Sequence, residues 1–105
     1  MSGIRIRARI RLLSTAEGGR AVPVRGSWRP NHNFGAADNL EMDVAFIEFA
    51  EGEMLSPGEA TERDLLFWSR PRLDEVLTLG REWRIQEGRQ IVGVGTVLEI
   101  PREFA

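Results

Sequence analysis

From Ile4 to Leu12 the chain alternates without interruption: Ile4, Ile6, Ala8, Ile10 and Leu12 are apolar, and Arg5, Arg7, Arg9 and Arg11 stand between them. A period of two is the pattern of a half-buried strand, because successive side chains point to opposite faces. The same period recurs, less cleanly, in Leu40–Phe49, where Leu40, Met42, Val44 and Phe46 oppose Glu41, Asp43 and Ala45. Ala60–Trp68 alternates at first and then runs into Leu65-Leu66-Phe67-Trp68, which predicts burial on both faces. Trp83-Arg84-Ile85 and Ile91–Ile100 complete the set of strands, with Glu87-Gly88-Arg89-Gln90 between them as a hairpin connection. Turn signals separate the runs: Glu17-Gly18-Gly19-Arg20, Gly26-Ser27, Gly35, Ser56-Pro57-Gly58, Arg70-Pro71 and Leu79-Gly80. No ten-residue stretch offers an apolar stripe with a period of 3.6. Short strands at roughly 8–12-residue spacing without helices predict an all-β barrel or sandwich.

The composition narrows the function more than the fold. With 105 residues the chain is one domain, 1–105, large enough for an ordinary core. Hydrophobic residues at 42% and charged residues at 29% are a globular mixture. No cysteine is present, which excludes a disulfide frame, a thiolate nucleophile and a Cys-ligated zinc. The N-terminal residues Met1–Arg7 hold no continuous apolar core, so a signal peptide is not expected. Nothing approaches the ~18 apolar residues of a membrane span, and a cytoplasmic protein without membrane contact is the expectation. The net charge of −2 gives the whole molecule no strong pull on nucleic acid. All 14 basic residues are arginine, so their charges do not titrate and their planar forks suit carboxylate or phosphate.

Four segments, in order, resemble the C-terminal barrel of elongation factor Tu. Glu17-Gly18-Gly19-Arg20 with Pro23 is similar to that family's Glu-Gly-Gly-Arg loop. Trp28-Arg29-Pro30-Asn31-His32-Asn33-Phe34 is similar to its Tyr-Arg-Pro-Gln-Phe-Tyr-Phe strand. Met54-Leu55-Ser56-Pro57-Gly58-Glu59 matches its Met-Val-x-Pro-Gly-Asp turn. Ile85-Gln86-Glu87-Gly88 and Val92-Gly93-Val94-Gly95 align without a gap to Ile-Arg-Glu-Gly and Val-Gly-Ala-Gly. The resemblance runs from about Arg5 to Leu98 and implies a six-stranded antiparallel barrel of Greek-key type, standing alone. The family's GTPase domain has no counterpart in these residues: a chain without lysine cannot hold a Gly-x-x-x-x-Gly-Lys-Ser/Thr loop.

In the family this barrel packs against the GTPase domain and helps grip the T-stem of aminoacyl-tRNA. The resemblance therefore implies two surfaces. One, comprising Glu17, Gly18, Gly19 and Arg20 with Trp28 and Arg29, takes a protein partner: a translation factor or a regulator. The other would contact tRNA weakly through Asn31, Glu87, Gly88 and Arg89, joined by the row Arg5, Arg7, Arg9 and Arg11. Asn31 replaces a glutamine, and Arg89-Gln90 replaces Gly-Arg, so the RNA surface departs from the family pattern. A homodimer is a further way of covering a face shaped for a neighbouring domain.

Single residues add little chemistry. The arginine row is either a docking stripe for phosphates or an acidic surface, or a solvated strand whose charges discourage edge pairing. Trp68 and Trp83 read as core residues; Trp28 reads equally as core or as a base-stacking platform. His32, the sole histidine, has no evident nucleophile or orienting acid and reads as a packing or surface residue. Glu48, Glu51, Glu53 and Glu59 lack metal-ligand spacing and read as a solvated loop. Gly93-x-Gly95 reads as close packing rather than a dinucleotide fingerprint, because the chain continues as strand. The expectation is a non-enzymatic binding module with no catalytic residues, no cofactor and no metal.

Overall fold

A computed structural model describes residues 3–100. The arginine-alternating segment forms β1 (Gly3–Leu12), with Ile6, Ala8, Ile10 and Leu12 fully buried and the arginines on the outer face. Eight strands follow: β2 (Val24–Arg25), β3 (Ser27–Trp28), β4 (Asn31–Asn33), β5 (Asp43–Glu48), β6 (Met54–Leu55), β7 (Ala60–Trp68), β8 (Glu82–Glu87) and β9 (Gln90–Glu99). A 3₁₀ turn at Thr15–Glu17 and one helical turn, α1 (Leu73–Val76), are the only helical pieces among the described residues.

Six strands close into an antiparallel barrel in the order β5-β4-β8-β9-β1-β7, with β7 returning to pair with β5. Closure leaves no free edge in the ring, so no row of unpaired N–H and C=O groups invites another strand. The strand β3 continues along the edge of β5 that β4 uses: Asn31 faces Val44, and Trp28 faces Ile47. Pro30, which has no N–H to give, sits at the break between them. A two-strand ribbon of β2 and β6 lies outside the ring.

The barrel is filled from all its strands. Ile6 and Ile10, Ala45 and Ile47, Leu65 and Phe67, Trp83 and Ile85, and Val92 and Val97 are all buried. Leu73 and Leu77 of the α1 segment are buried with them. The indole of Trp83 stacks on Phe34 at 5.1 Å between centroids and meets Phe67 edge-on at 5.9 Å. Gly95 makes room for it: a Cβ there would run into the Trp83 ring, and one at Gly93 would lie 2.8 Å from the Arg11 carbonyl. These two glycines permit close packing, as the sequence suggests.

Three expectations are corrected. The apolar residues of Leu40–Phe49 do not face the core. Strand β5 begins only at Asp43, and its buried side is Asp43, Ala45 and Ile47, while Leu40 and Phe46 are exposed. A slip of one residue reverses every side chain in a strand, and tertiary contacts decide this one. Ala45 sits opposite Phe67, a small residue against a large one, and Arg70 donates to both carboxylate oxygens of Asp43 at 2.6 and 3.0 Å. The paired fork makes an inward aspartate tolerable. Second, Leu65-Leu66-Phe67-Trp68 is not buried on both faces: Leu65 and Phe67 are inside, Leu66 and Trp68 outside. The strand keeps its alternation, and nothing among the described residues packs over its outer side. Third, and for the same reason, Trp68 is not a core tryptophan, whereas Trp83 and Trp28 are.

Candidate functional site

The Glu-Gly-Gly-Arg loop is built from its own side chains. Ser14 and Glu17 form a capping box: the Glu17 N–H donates to Ser14 Oγ at 3.1 Å, and the Ser14 N–H donates to Glu17 Oε1 at 2.9 Å. Arg11 adds a 3.1 Å ion pair to the same oxygen. The Ser14 backbone N–H, with Arg11 beside it, holds the Glu17 carboxyl below the ordinary carboxylate range. Gly18 ends the turn in the left-handed region at φ 91°, where a side chain would be strained. A Cβ at Gly19 would strike the Leu13 carbonyl. Each of the first three positions thus has a local structural reason for its identity.

Arg20 points away from its own loop to the β8–β9 hairpin. Its Nε donates to Glu87 Oε1 at 2.9 Å, and the Trp28 indole N–H donates to Glu87 Oε2 at 3.2 Å. Arg20 also donates to the Pro23 carbonyl at 3.1 Å. From the neighbouring strand, Gln90 Nε2 donates to the carbonyls of Gly18 and Gly19, both at 3.1 Å. One carboxylate therefore ties together three segments that are 59 to 67 residues apart in sequence. Glu87 and Gln90 face each other, leaving Gly88 and Arg89 as a two-residue turn with Gly88 at φ 59°, the glycine-first pattern of a type II′ hairpin.

The two surfaces expected from sequence are consequently one. Glu17, Gly18, Gly19, Arg20 and Trp28 meet Glu87 and Gly88 at the same end of the barrel. Asn31, half-buried on β4, pairs with Gln86 just before the hairpin. Arg29 and Arg89 are exposed, as is Val22 beyond Arg20. Trp28 is only 8% exposed, which removes it as a stacking platform.

The arginine row runs along β1 toward this end but is hedged with carboxylates. Arg7 pairs with Asp64 at 3.3 Å and has Glu99 opposite on β9, Arg9 faces Glu62 on β7, and Arg11 holds Glu17. Arg5 faces Leu66. A strand so interleaved with acids presents no continuous cationic field.

His32 lies at the centre of the molecule. Trp83 Nε1–H donates to His32 Nδ1 at 2.9 Å, which leaves Nε2 to carry the proton and donate to the Ala45 carbonyl at 3.0 Å. Burial lowers its pKa from 6.5 to about 4, so it is a neutral core residue with both nitrogens engaged. Beside it Asn33 donates to Gln86 Oε1 at 2.8 Å and receives the Asn39 amide at 3.1 Å. Neither network is visible in the sequence, where the partners stand more than 50 residues apart. Among the described residues no three His, Cys, Asp or Glu side chains group as metal ligands, and no helix is long and apolar enough to cross a membrane.

Elongation factor Tu 2 of Streptomyces avermitilis is 32% identical to the chain over 96 residues, 91% of its length, and the barrel closes with the expected six strands. The chain is a homologue of the C-terminal barrel of elongation factor Tu. It spans 23% of the length of that relative. No protein-family model matches it. The Tu-like segments are those that build the clamped end: the Glu17–Arg20 loop, the strand from Trp28, and the Glu87-Gly88 hairpin. The homology relates the chain to a translation factor without assigning it that factor's activity.

Proposed function

We propose that the chain is a non-enzymatic docking module acting in translation or its regulation in the cytoplasm, and that a protein partner seats on the clamped end. The observation that carries this reading is the Arg20–Glu87–Trp28 junction. It fixes the loop, the β3 strand and the hairpin to one another before any partner arrives, so binding does not have to order them. Around this rigid base Val22, Arg29 and Arg89 project into solvent, an apolar contact flanked by two arginine forks, which suits a protein surface carrying carboxylates.

The weak tRNA-binding reading has less to stand on. The Glu87 carboxylate sits where a phosphate would approach, the indole of Trp28 is buried, and the β1 arginines face acids. What remains is Asn31, Arg89 and Arg29, a small set for phosphate contacts.

The test is affinity capture from lysate of the source cells, with and without ribonuclease, comparing the wild-type chain with Arg29→Glu/Arg89→Glu, followed by titration of the purified partner. Both positions are exposed, so the variant keeps the fold. A protein that survives ribonuclease, is lost in the variant and binds directly supports the reading. Retention of tRNA instead, with affinity falling by ~0.7–0.9 in log K per phosphate contact per decade of salt, replaces it with the RNA reading.

A further inference from the structure

Away from the clamped end, the outer row of β7 changes character along its length. Glu62 and Asp64 give way to Leu66 and Trp68, which are 48% and 44% exposed. On one side β1 sets Arg5 against Leu66 and Arg7 against Asp64, and Gly3 lies opposite Trp68 with no side chain to cover it. On the other side β5 sets Phe46, 38% exposed, against Leu66. Continuing that register places Val44 beside Trp68 and Glu48 beside Asp64. The face therefore has three columns: arginines on β1, an apolar patch ending in acids on β7, and an apolar-then-acidic column on β5. The three large apolar side chains expose roughly 300 Å², on the scale at which a patch on a monomer has a use.

The geometry points to a second copy of this chain as the occupant of that face, in a two-fold dimer whose axis runs along β7. Such an axis lays the β1 column of one copy over the β5 column of the other. Leu66 and Trp68 then meet their own symmetry mates in the centre. Arg5 lies over the partner's Phe46, a cation–π contact, and Arg7 stands opposite the partner's Glu48. Self-complementarity selects this occupant over a foreign one. A strongly acidic protein would match the arginines but meet Glu48, Asp64 and Glu62 in the adjoining columns, and a basic one would meet the arginines. The patch is smaller than the ~800 Å² per partner of a standard interface, so the dimer is concentration-dependent rather than obligate. It leaves the clamped end free and stands independently of the function proposed for that end.

Sedimentation equilibrium of the 105-residue chain between about 1 and about 500 μM covers the affinities such a contact can have. The wild-type mass is expected to rise to twice the monomer value across that range, and Leu66→Glu to stay monomeric with an unchanged thermal midpoint. Should Leu66→Glu prove unstable, a charge exchange decides. Arg7→Glu and Glu48→Arg each lower the dimer fraction, and the double variant Arg7→Glu/Glu48→Arg restores it. A wild-type chain that remains monomeric throughout overturns the inference. So does a dimer that persists in a folded Leu66→Glu variant, or one indifferent to both charge changes.

Discussion

Acidification should destabilise the barrel through His32 in a pH range where its carboxylates barely respond. In the fold His32 is buried, neutral and held between Trp83 and the Ala45 carbonyl, with its pKa lowered from 6.5 to about 4 by burial. The unfolded chain takes up a proton near pH 6.5 that the folded one refuses until about pH 4. Stability is therefore complete above the unfolded value and falls as pH drops, levelling off once the folded value is passed. With 1.36 kcal/mol per pH unit, the loss is about 1.3 kcal/mol at pH 5.5 and about 3 kcal/mol below pH 4. Glu17 and Glu53, whose pKa values are lowered from 4.5, add their own loss only below that value. Urea unfolding at pH 7.5 and 5.5 reads the histidine alone: a 1.3 kcal/mol loss moves the midpoint by roughly 1 M for a small domain. Because the chain has one histidine, its imidazole proton resonances are unambiguous. They are expected to stay fixed between pH 7.5 and 5.5 in the folded state. In His32→Gln the amide can donate to Ala45 and accept from Trp83, so the pH dependence in this interval should vanish. A folded-state titration midpoint between 6 and 7, or equal stability at pH 7.5 and 5.5, refutes the reasoning.

Other consequences test separate parts of the structure. Gly95→Ala forces a methyl group into the Trp83 indole and should cost about 1–3 kcal/mol, read by chemical denaturation; a neutral outcome would mean the ring has room to move. Arg70→Gln strands the buried Asp43 carboxylate, and a loss of about 1–3 kcal/mol is expected, partly recovered when Asp43→Asn is added. Ser14→Ala removes half of the capping box beside the Glu17–Arg20 loop and should lower stability by about 1 kcal/mol, a loss that calorimetry can resolve. Arg72 holds φ 67° ahead of α1, so Arg72→Asn should raise the thermal midpoint, its gain bounded by the roughly 1–2 kcal/mol of left-handed strain.

The barrel is legible in the sequence wherever one side of a strand faces the core and the other faces water. Ile4–Leu12 alternates faultlessly because β1 lies between β7 and β9 with its inner face wholly buried. The hairpin at Gly88, the close-packed Gly93 and Gly95, and four ordered resemblances fall in the same class: backbone needs that restrict residue type locally. Strand β5 could not be read this way. Its phase depends on an aspartate that is acceptable inside only because Arg70, 27 residues on, reaches it with both donors. In β8 a register irregularity at Ile85/Gln86 puts two consecutive side chains inside, so a period of two fails there.

The site divides along the same line. Each member of the Glu17–Arg20 loop and the β8–β9 hairpin can be named from the sequence. Their union is not local information, since a glutamate does not announce which arginine and which indole, some 60 residues away, will share its oxygens. His32 likewise reads as a bland lone histidine and becomes the hydrogen-bonded centre of the core once Trp83 and Ala45 are brought to it. By itself the sequence determined the fold class, the strands with one wet face, the turns and the absence of cysteine and lysine chemistry. Those follow from side-chain periodicity and backbone sterics, which act over a few residues. The tertiary structure alone decided which polar groups are inside, which apolar ones are left outside, and that two expected surfaces are one. Hydrogen bonds and ion pairs are made between whichever groups the closed barrel brings within 3 Å, whatever their distance along the chain.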